Sequence, residues 1–424
     1  MGETISEKII AKAAGKKSVA PSEFVGVRPD LGPIMYAFAA NDPPRRIKHT
    51  LKNLGIERIL HPEKVMIFFD HNQPAKTVEC AELYKSVREG VQDLGIKHFY
   101  AMKGIGHIVL AEYGLARPGM LIVHGDPHAA TVGGIGAFVT NGGRYGSTPD
   151  EILATGEITI RVPETLECKV TGNLGKGVMS RDIWQHLIGE IGPDGAIGRV
   201  IEYDGPAIQK LSIDSRMTIC NPVVFAGAET GIVNPDKETV DWVKERTTEP
   251  FELLSSDPDA EYADTLEYDA SKIEPLVAAP PDVYVTKTVV EVEGLEIDQA
   301  VLGTCAGGRM EDLRIAAKIL KGRKINPSVR MLVVPATQDI YINSIREGLI
   351  ETLAWAGAVI CAPTCDICWG RMGQLATGEI SISQQTLNIP GRSGSDKAKI
   401  YLASAATIAA SAVEGKITDP RNLL

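Results

Sequence analysis

The sequence predicts an α/β fold with largely parallel sheets, and three observations carry that reading. Short β-branched and apolar runs end in polar or glycine-rich turns, helical patterns lie between them, and the residues richest in chemistry sit just past the runs. The strand runs are residues 65–69, 121–123, 331–334 and 358–360. Residues 311–320 and 342–356 instead repeat apolar side chains every three or four positions, the period of a helix packed on one face. In such folds functional side chains collect where strands give way to loops. Asp70-His71 follows Val-Met-Ile-Phe-Phe, His124 and Asp126 follow Leu-Ile-Val, and Cys305 follows Gln-Ala-Val-Leu-Gly-Thr.

Taken in chain order, residues 1–17 alternate charged and apolar positions as a surface helix does, with no continuous hydrophobic segment and no signal peptide. Cytoplasmic localisation is expected, with no membrane attachment. Glycine is dense over 103–146 and again over 172–205, which allows tight turns and close backbone approach to a ligand. The acidic, proline-containing stretch 245–282 has the weakest periodicity, so a connection is expected at 278–281 and a second boundary near Pro163. That divides the chain into 1–162, 163–279 and 280–424. Residues 397–417 read as a closing helix of small residues.

Composition narrows the partners. A chain of 424 residues with 44% apolar content can bury more than one core. Its 54 acidic residues outnumber 44 basic ones, giving a formal charge of -10, and no Lys/Arg block is present to follow a phosphate backbone. Nucleic acid is not an expected partner.

Seven cysteines, an odd number spread along a chain of this size, point to reduced thiols rather than staples. Three of them crowd into Cys361-Ala-Pro-Thr-Cys365-Asp-Ile-Cys368. Zinc would require a second pair of ligands, and none is obvious nearby. Thiol exchange fits a Cys-x-x-Cys but not the additional thiols. The spacing also matches the cluster motif of radical enzymes that use S-adenosylmethionine, although those carry it early in the chain. Alternatively, two of the three join Cys305, in Gly303-Thr-Cys-Ala-Gly-Gly-Arg309, because three thiolates can hold a cubane cluster and leave its fourth iron without a protein ligand. Spacing alone leaves these readings open.

Several segments, in order and nearly end to end, carry a resemblance. They are Ile67-Phe-Phe-Asp-His71, Gly104-Ile-Gly-His107, residues 119–128, Ser215-Arg-Met-Thr-Ile-Cys-Asn221, residues 303–309 followed by Met-Glu-Asp-Leu-Arg, and Cys365-x-x-Cys368-x-Gly370. Together they make the chain resemble the large subunits of the aconitase superfamily, in particular those of 3-isopropylmalate dehydratase and homoaconitase. The resemblance implies three three-layer α/β/α domains around a central cleft, without the separate swivelling domain. It implies a [4Fe-4S] cluster on Cys305, Cys365 and Cys368, with Cys361 outside the ligand set, and reversible dehydration of a hydroxy di- or tricarboxylic acid. It further implies acid–base roles for Asp70, His71, His107, Asp126 and His128, and substrate contacts from Arg216, Asn221, Arg309 and Arg392. The base that takes the carbon-bound proton, a serine in the family, would come from a small swivelling-domain partner subunit.

Four departures bear on the substrate. The family's Asp-Ser-His reads Asp126-Pro-His128; a glutamate is replaced by Phe225; the cluster loop is Cys305-Ala-Gly-Gly-Arg309; and of two arginines that grip carboxylates in the family, one survives as Arg392 and the other has become Leu387. Losing a bidentate guanidinium removes a strong, directional carboxylate grip, so a more apolar substituent is expected at Leu387 and Phe225. A non-catalytic, iron-sensing member of the family is the alternative. His49, His61 and His186 are expected to be structural or surface residues, and Cys80, Cys168 and Cys220 to be small buried side chains.

Overall fold

The computed structural model describes residues 2–38, 41–141 and 149–424, the side chains of 149 and 150 excepted. Part of the glycine-dense stretch, residues 142–146, lies outside them. Three larger sheets organise the described chain. The first is all parallel, in the order His98–Ala101, Met66–Phe69, Leu31–Tyr36, Leu121–His124, Phe138–Thr140. The second, also all parallel, runs Thr230–Val233, Arg199–Asp204, Glu164–Thr171, Asp264–Asp269. The third is mixed: Thr286–Thr288, Leu276–Ala278, Lys399–Ala403, Ile380–Ser383, Gln299–Gly303, Arg330–Val334, Val359–Ile360, with Leu276–Ala278 antiparallel to both its neighbours.

Alternation along the strands shows why helices cover both faces. Met66 and Phe68 pack with Val109, Leu110 and Ile122, whereas Ile67 and Phe69 pack with Ile47, Leu51, Val87 and Val91 of the helices Pro43–Leu54 and Val78–Asp93. Consecutive strand residues point to opposite sides, so an unbroken apolar run is what a strand buried on both faces requires. Ala300 and Leu302 likewise face one core and Val301 another.

Some elements differ from expectation for local reasons. The helical pattern at 342–356 is two helices, Gln338–Arg346 and Leu349–Ala356, separated at Gly348, whose φ of 71° no continuing helix tolerates. Residues 397–417 hold a strand, Lys399–Ala403, before the helix Ala405–Glu414. The connection expected at 278–281 starts inside the strand Leu276–Ala278, in the third sheet. The amino-terminal helix, Ile5–Ala14, is opened by a Thr4/Glu7 capping box and is not merely superficial. Its Ile5, Ile9 and Ile10 pack with Leu121 of the first sheet and Val200 and Ile232 of the second.

Candidate active site

Parallel strands deliver the site. Met66–Phe69 releases Asp70 and His71, Leu121–His124 releases Asp126 and His128, and Gln299–Gly303 releases Cys305. The turn into Cys305 is tight: a Cβ on Gly303 would collide with the Val334 carbonyl, and Thr304 takes a φ of 72°, uncommon for a residue with a side chain. These strand ends, the loop carrying Cys365 and Cys368, and the loop carrying Thr386 and Arg392 enclose one cavity of about 250 Å³. Its walls include Tyr36, Phe38, His71, His107, Asp126, His128, the three cysteines, Trp369 and Arg392.

The acid–base residues are held by short-range bonds that the sequence encodes. Asp126 caps the 3-10 helix Pro127–Ile135, accepting the His128 N–H at 2.8 Å, and Pro127 occupies the first helical position, where its missing N–H costs nothing. The same Asp126 oxygen accepts from His128 Nδ1 at 3.0 Å. Asp70 accepts from His71 Nδ1 at 2.7 Å with one oxygen and from the Gly106 N–H, the first residue of the helix Gly106–Glu112, at 2.9 Å with the other. His107 Nδ1 lies 3.1 Å from the Tyr36 hydroxyl. All three cavity imidazoles are therefore fixed through Nδ1, and the Nε2 atoms of His107 and His128 are buried without a partner.

Burial and charge separate the protonation states. Burial would lower His128, but the hydrogen bond and charge of Asp126 outweigh it and hold the imidazole above its ordinary 6.5. His71 is raised by Asp70 against the same penalty. Asp126 would be raised by burial, yet His128, His107 and His124 keep it well below the usual carboxylate range. For His107 burial, helped by the neighbouring His128, His124 and Arg309, outweighs the charge of Asp126 and drops it to about 3. The cavity thus holds two imidazoles whose protonated form a neighbouring carboxylate favours, beside one that burial holds neutral. Pairing opposite protonation states in one site suits general acid–base work.

The three thiols meet on another wall. Cys305 and Cys368 are within hydrogen-bond reach of each other, which keeps the proton on Cys305 and, with Arg392 and the Thr386 hydroxyl, lowers Cys368. Thr386 Oγ1 lies 3.3 Å from Cys368 Sγ. Burial raises Cys365. Cys361 turns away, among Val301, Val334 and Ile367 with its sulfur near the Val359 carbonyl. All seven cysteines are free of disulfides. Among the described residues no three His, Cys, Asp or Glu side chains converge as a single-ion site requires. A cubane asks for something else, since each thiolate binds a different iron. Three disulfide-free thiols on one cavity, with unpartnered His107 Nε2, His128 Nε2 and Arg392 Nε around them, fit such a group.

A profile of the aconitase family (aconitate hydratase) matches residues 49–288 and 281–415. The chain belongs to the aconitase family. It is 42% identical over 435 aligned positions, covering 100% of both chains, to 3-isopropylmalate dehydratase large subunit 1 of Methanopyrus kandleri. It is 45% identical to the 3-isopropylmalate dehydratase large subunit of a Sulfurihydrogenibium species, over 99% of this chain and 96% of the relative. Identity is 41% to the probable methanogen homoaconitase large subunit of Methanothermobacter thermautotrophicus, over 98% and 97% respectively.

Within this aconitase-family site, not every expected residue reaches the cavity. Arg216 is wholly buried elsewhere, bound to Asp236 at 2.6 Å and to the Gln209 and Leu211 carbonyls, so its guanidinium is spent inside the fold. Arg309 lies behind the cysteines, donating to the Cys305 carbonyl and the Thr218 hydroxyl. Asn221 supports the His128 segment, with Nδ2 2.8 Å from Thr131 Oγ1. Arg392 is on the cavity, one Nη 3.8 Å from Cys368 Sγ. Phe225 stacks obliquely on His128 with ring centroids 5.4 Å apart, and it and Leu387 both pack against the apolar group of Ala278, Val283, Leu375, Ile400 and Leu402.

Sequence reasoning missed Tyr36, Phe38, Trp369 and Thr386 as cavity walls. Tyr36 ends a strand, Leu31–Tyr36, whose Gly32 and Pro33 hide it from a search for apolar runs. Trp369 was in plain view beside Cys368, but nothing in spacing says which way it points. Of the residues expected to be structural, His186 packs edge-on to Tyr268, His49 and His61 are at the surface, and Cys168 and Cys220 are buried. Cys80 instead is partly exposed, in the first turn of Val78–Asp93.

Proposed function

We propose that the chain is the large subunit of a hydro-lyase that reversibly removes water from a hydroxy diacid of the substituted-malate type, 3-isopropylmalate among the candidates. What carries this reading is the meeting of three thiols, two carboxylate–imidazole pairs and one arginine on a single cavity. Bound on Cys305, Cys365 and Cys368, a [4Fe-4S] cluster supplies a Lewis-acidic iron that no residue of the chain ligates. His128, kept protonated by Asp126, carries a proton at Nε2 for the departing hydroxyl of the substrate. His71 on Asp70 offers a second, and neutral His107 orients by hydrogen bonding without adding charge. Arg392 holds one substrate carboxylate. Phe225 and Leu387 take the substituent, which favours an apolar one. Removal of the carbon-bound proton falls to a serine on a small partner subunit, as the family resemblance implies.

The test is a Mössbauer spectrum of chain reconstituted anaerobically with iron-57 and sulfide, with and without a panel of hydroxy diacids. One iron of four changing its isomer shift with an alkyl-substituted malate supports the reading. Four irons indifferent to every acid would leave the cluster structural or iron-sensing.

A further inference from the structure

Thr364 and Asp366, on either side of Cys365, bond to the loop that follows Met66–Phe69. The Thr364 hydroxyl donates to the Asp70 carbonyl at 2.9 Å, and the Cys365 N–H donates to the same oxygen at 3.0 Å. Asp366, lying between Cys365 and Cys368, has no exposed surface. Its carboxylate accepts the Asn72 N–H at 2.9 Å and the Gln73 N–H at 3.3 Å, and pairs with Lys76 Nζ at 3.3 Å.

A buried carboxylate is costly unless donors meet its lone pairs, and here the donors come from residues 72–76 of the opposite loop. Asn72 takes a φ of 56°, a left-handed turn that asparagine adopts more readily than other L residues and that presents its N–H to Asp366. Trp369 completes the grip, its ring edge-on to His71 at 5.2 Å and to Phe38 at 5.2 Å. His71 is thus held at Nδ1 by Asp70 and on its ring by Trp369, while the two residues that follow it are held by Asp366. A serine or amide at 366 could meet one N–H; a carboxylate meets both and neutralises Lys76.

We propose that Asp366 is a positioning residue: its carboxylate locks the loop 70–76 to the cysteine loop and so sets His71 relative to whatever binds at Cys365 and Cys368. Asp366 touches no reacting atom; it acts through Asn72 and Gln73.

Asp366→Ala and Asp366→Asn test this by three measurements on the full chain. Amide exchange of 70–76 is followed by mass spectrometry without cluster, iron and sulfide are counted after anaerobic reconstitution, and kcat and KM are measured with the partner subunit and an alkylmalate. Exchange at Asn72 and Gln73 is expected to accelerate by about tenfold or more in D366A and less in D366N, which keeps an acceptor. Iron content is expected to stay near the parent's, while kcat falls on the order of 10- to 100-fold and KM changes by less than about twofold, the signature of a misplaced group. Unchanged exchange overturns the proposal. So does a loss of iron in step with kcat, since Asp366 would then serve only to shape the cysteine loop. Should D366A not fold, D366N and Lys76→Met decide by the same readings. The kinetic arm rests on the hydro-lyase reading and the exchange arm does not, so a parent inactive on every diacid would sink that reading alone.

Discussion

The two walls of the cavity are built to different standards. On the imidazole side, His71, His107 and His128 are each tied through Nδ1, and Asp70 and Asp126 each bond both an imidazole and a backbone N–H. On the other side, Arg392 has an unpartnered Nε; Phe225 and Leu387 do not line the cavity but sit partly buried at the edge of an apolar group, Phe225 reaching the site through its ring contact with His128. The imidazole and carboxylate groups are each fixed by several bonds, while the residues at which the chain departs from the family pattern, Phe225 and Leu387, are held by packing alone.

The largest effect is expected at the rigid wall. His128→Asn keeps a donor for Asp126 but carries no transferable proton, so kcat should fall about 10²- to 10⁴-fold with KM little altered. Steady-state kinetics with the partner subunit read this, and a loss confined to KM would move His128 to the binding wall. Next comes a pair of arginines that the sequence does not tell apart. Arg392→Met should raise KM by roughly 10- to 100-fold, the worth of a charge-assisted bond. Arg216→Met should leave KM alone and cost about 1 to 3 kcal/mol of stability through the unpaired Asp236 and lost carbonyl bonds. Equal KM effects would erase the distinction. Smaller still, Leu387→Arg should shift relative kcat/KM from alkylmalates toward a more acidic diacid by about tenfold, and an unchanged preference would end the proposed contact of Leu387 with the substituent.

The mildest test uses pH on the cluster-free chain. His107 and His124 are buried neutral, with burial holding them at about 3 and about 4 against an ordinary 6.5. A depressed folded value means the unfolded chain binds more protons as pH falls, so this part of the stability is intact above 6.5 and is lost as pH falls toward 4. His124→Asn should flatten the urea midpoint across that window. Parallel curves for variant and parent would assign the acid sensitivity to other groups.

Strand ends were legible because a strand buried on both faces must be a short apolar run, and the polar residue after it stands out: Asp70, Asp126 and Cys305 were all found this way. Period alone failed where two readings share a pattern. Ile400-Tyr-Leu-Ala403 fits a strand or a helix of small residues equally well, and the break at Gly348 depends on one backbone angle. Arg216 and Arg392 look alike because nothing local shows that Asp236 is folded back onto the former. Asp366 was hidden for a different reason, since its partners lie almost 300 residues earlier in the chain.

The third sheet dictates a timetable. Its strand Lys399–Ala403 lies between Leu276–Ala278 and Ile380–Ser383, so an interior member of the sheet is the last to be synthesised. A nascent chain can close its first sheet early, as amino-terminal units generally do, but it cannot complete the platform that carries Cys305 until residues 399–403 have left the ribosome. Cys305, Cys365 and Cys368 are all made before that strand, so they are held together only once it is in place, and a truncation that spares every cysteine but removes residues 399–424 is expected to unseat them.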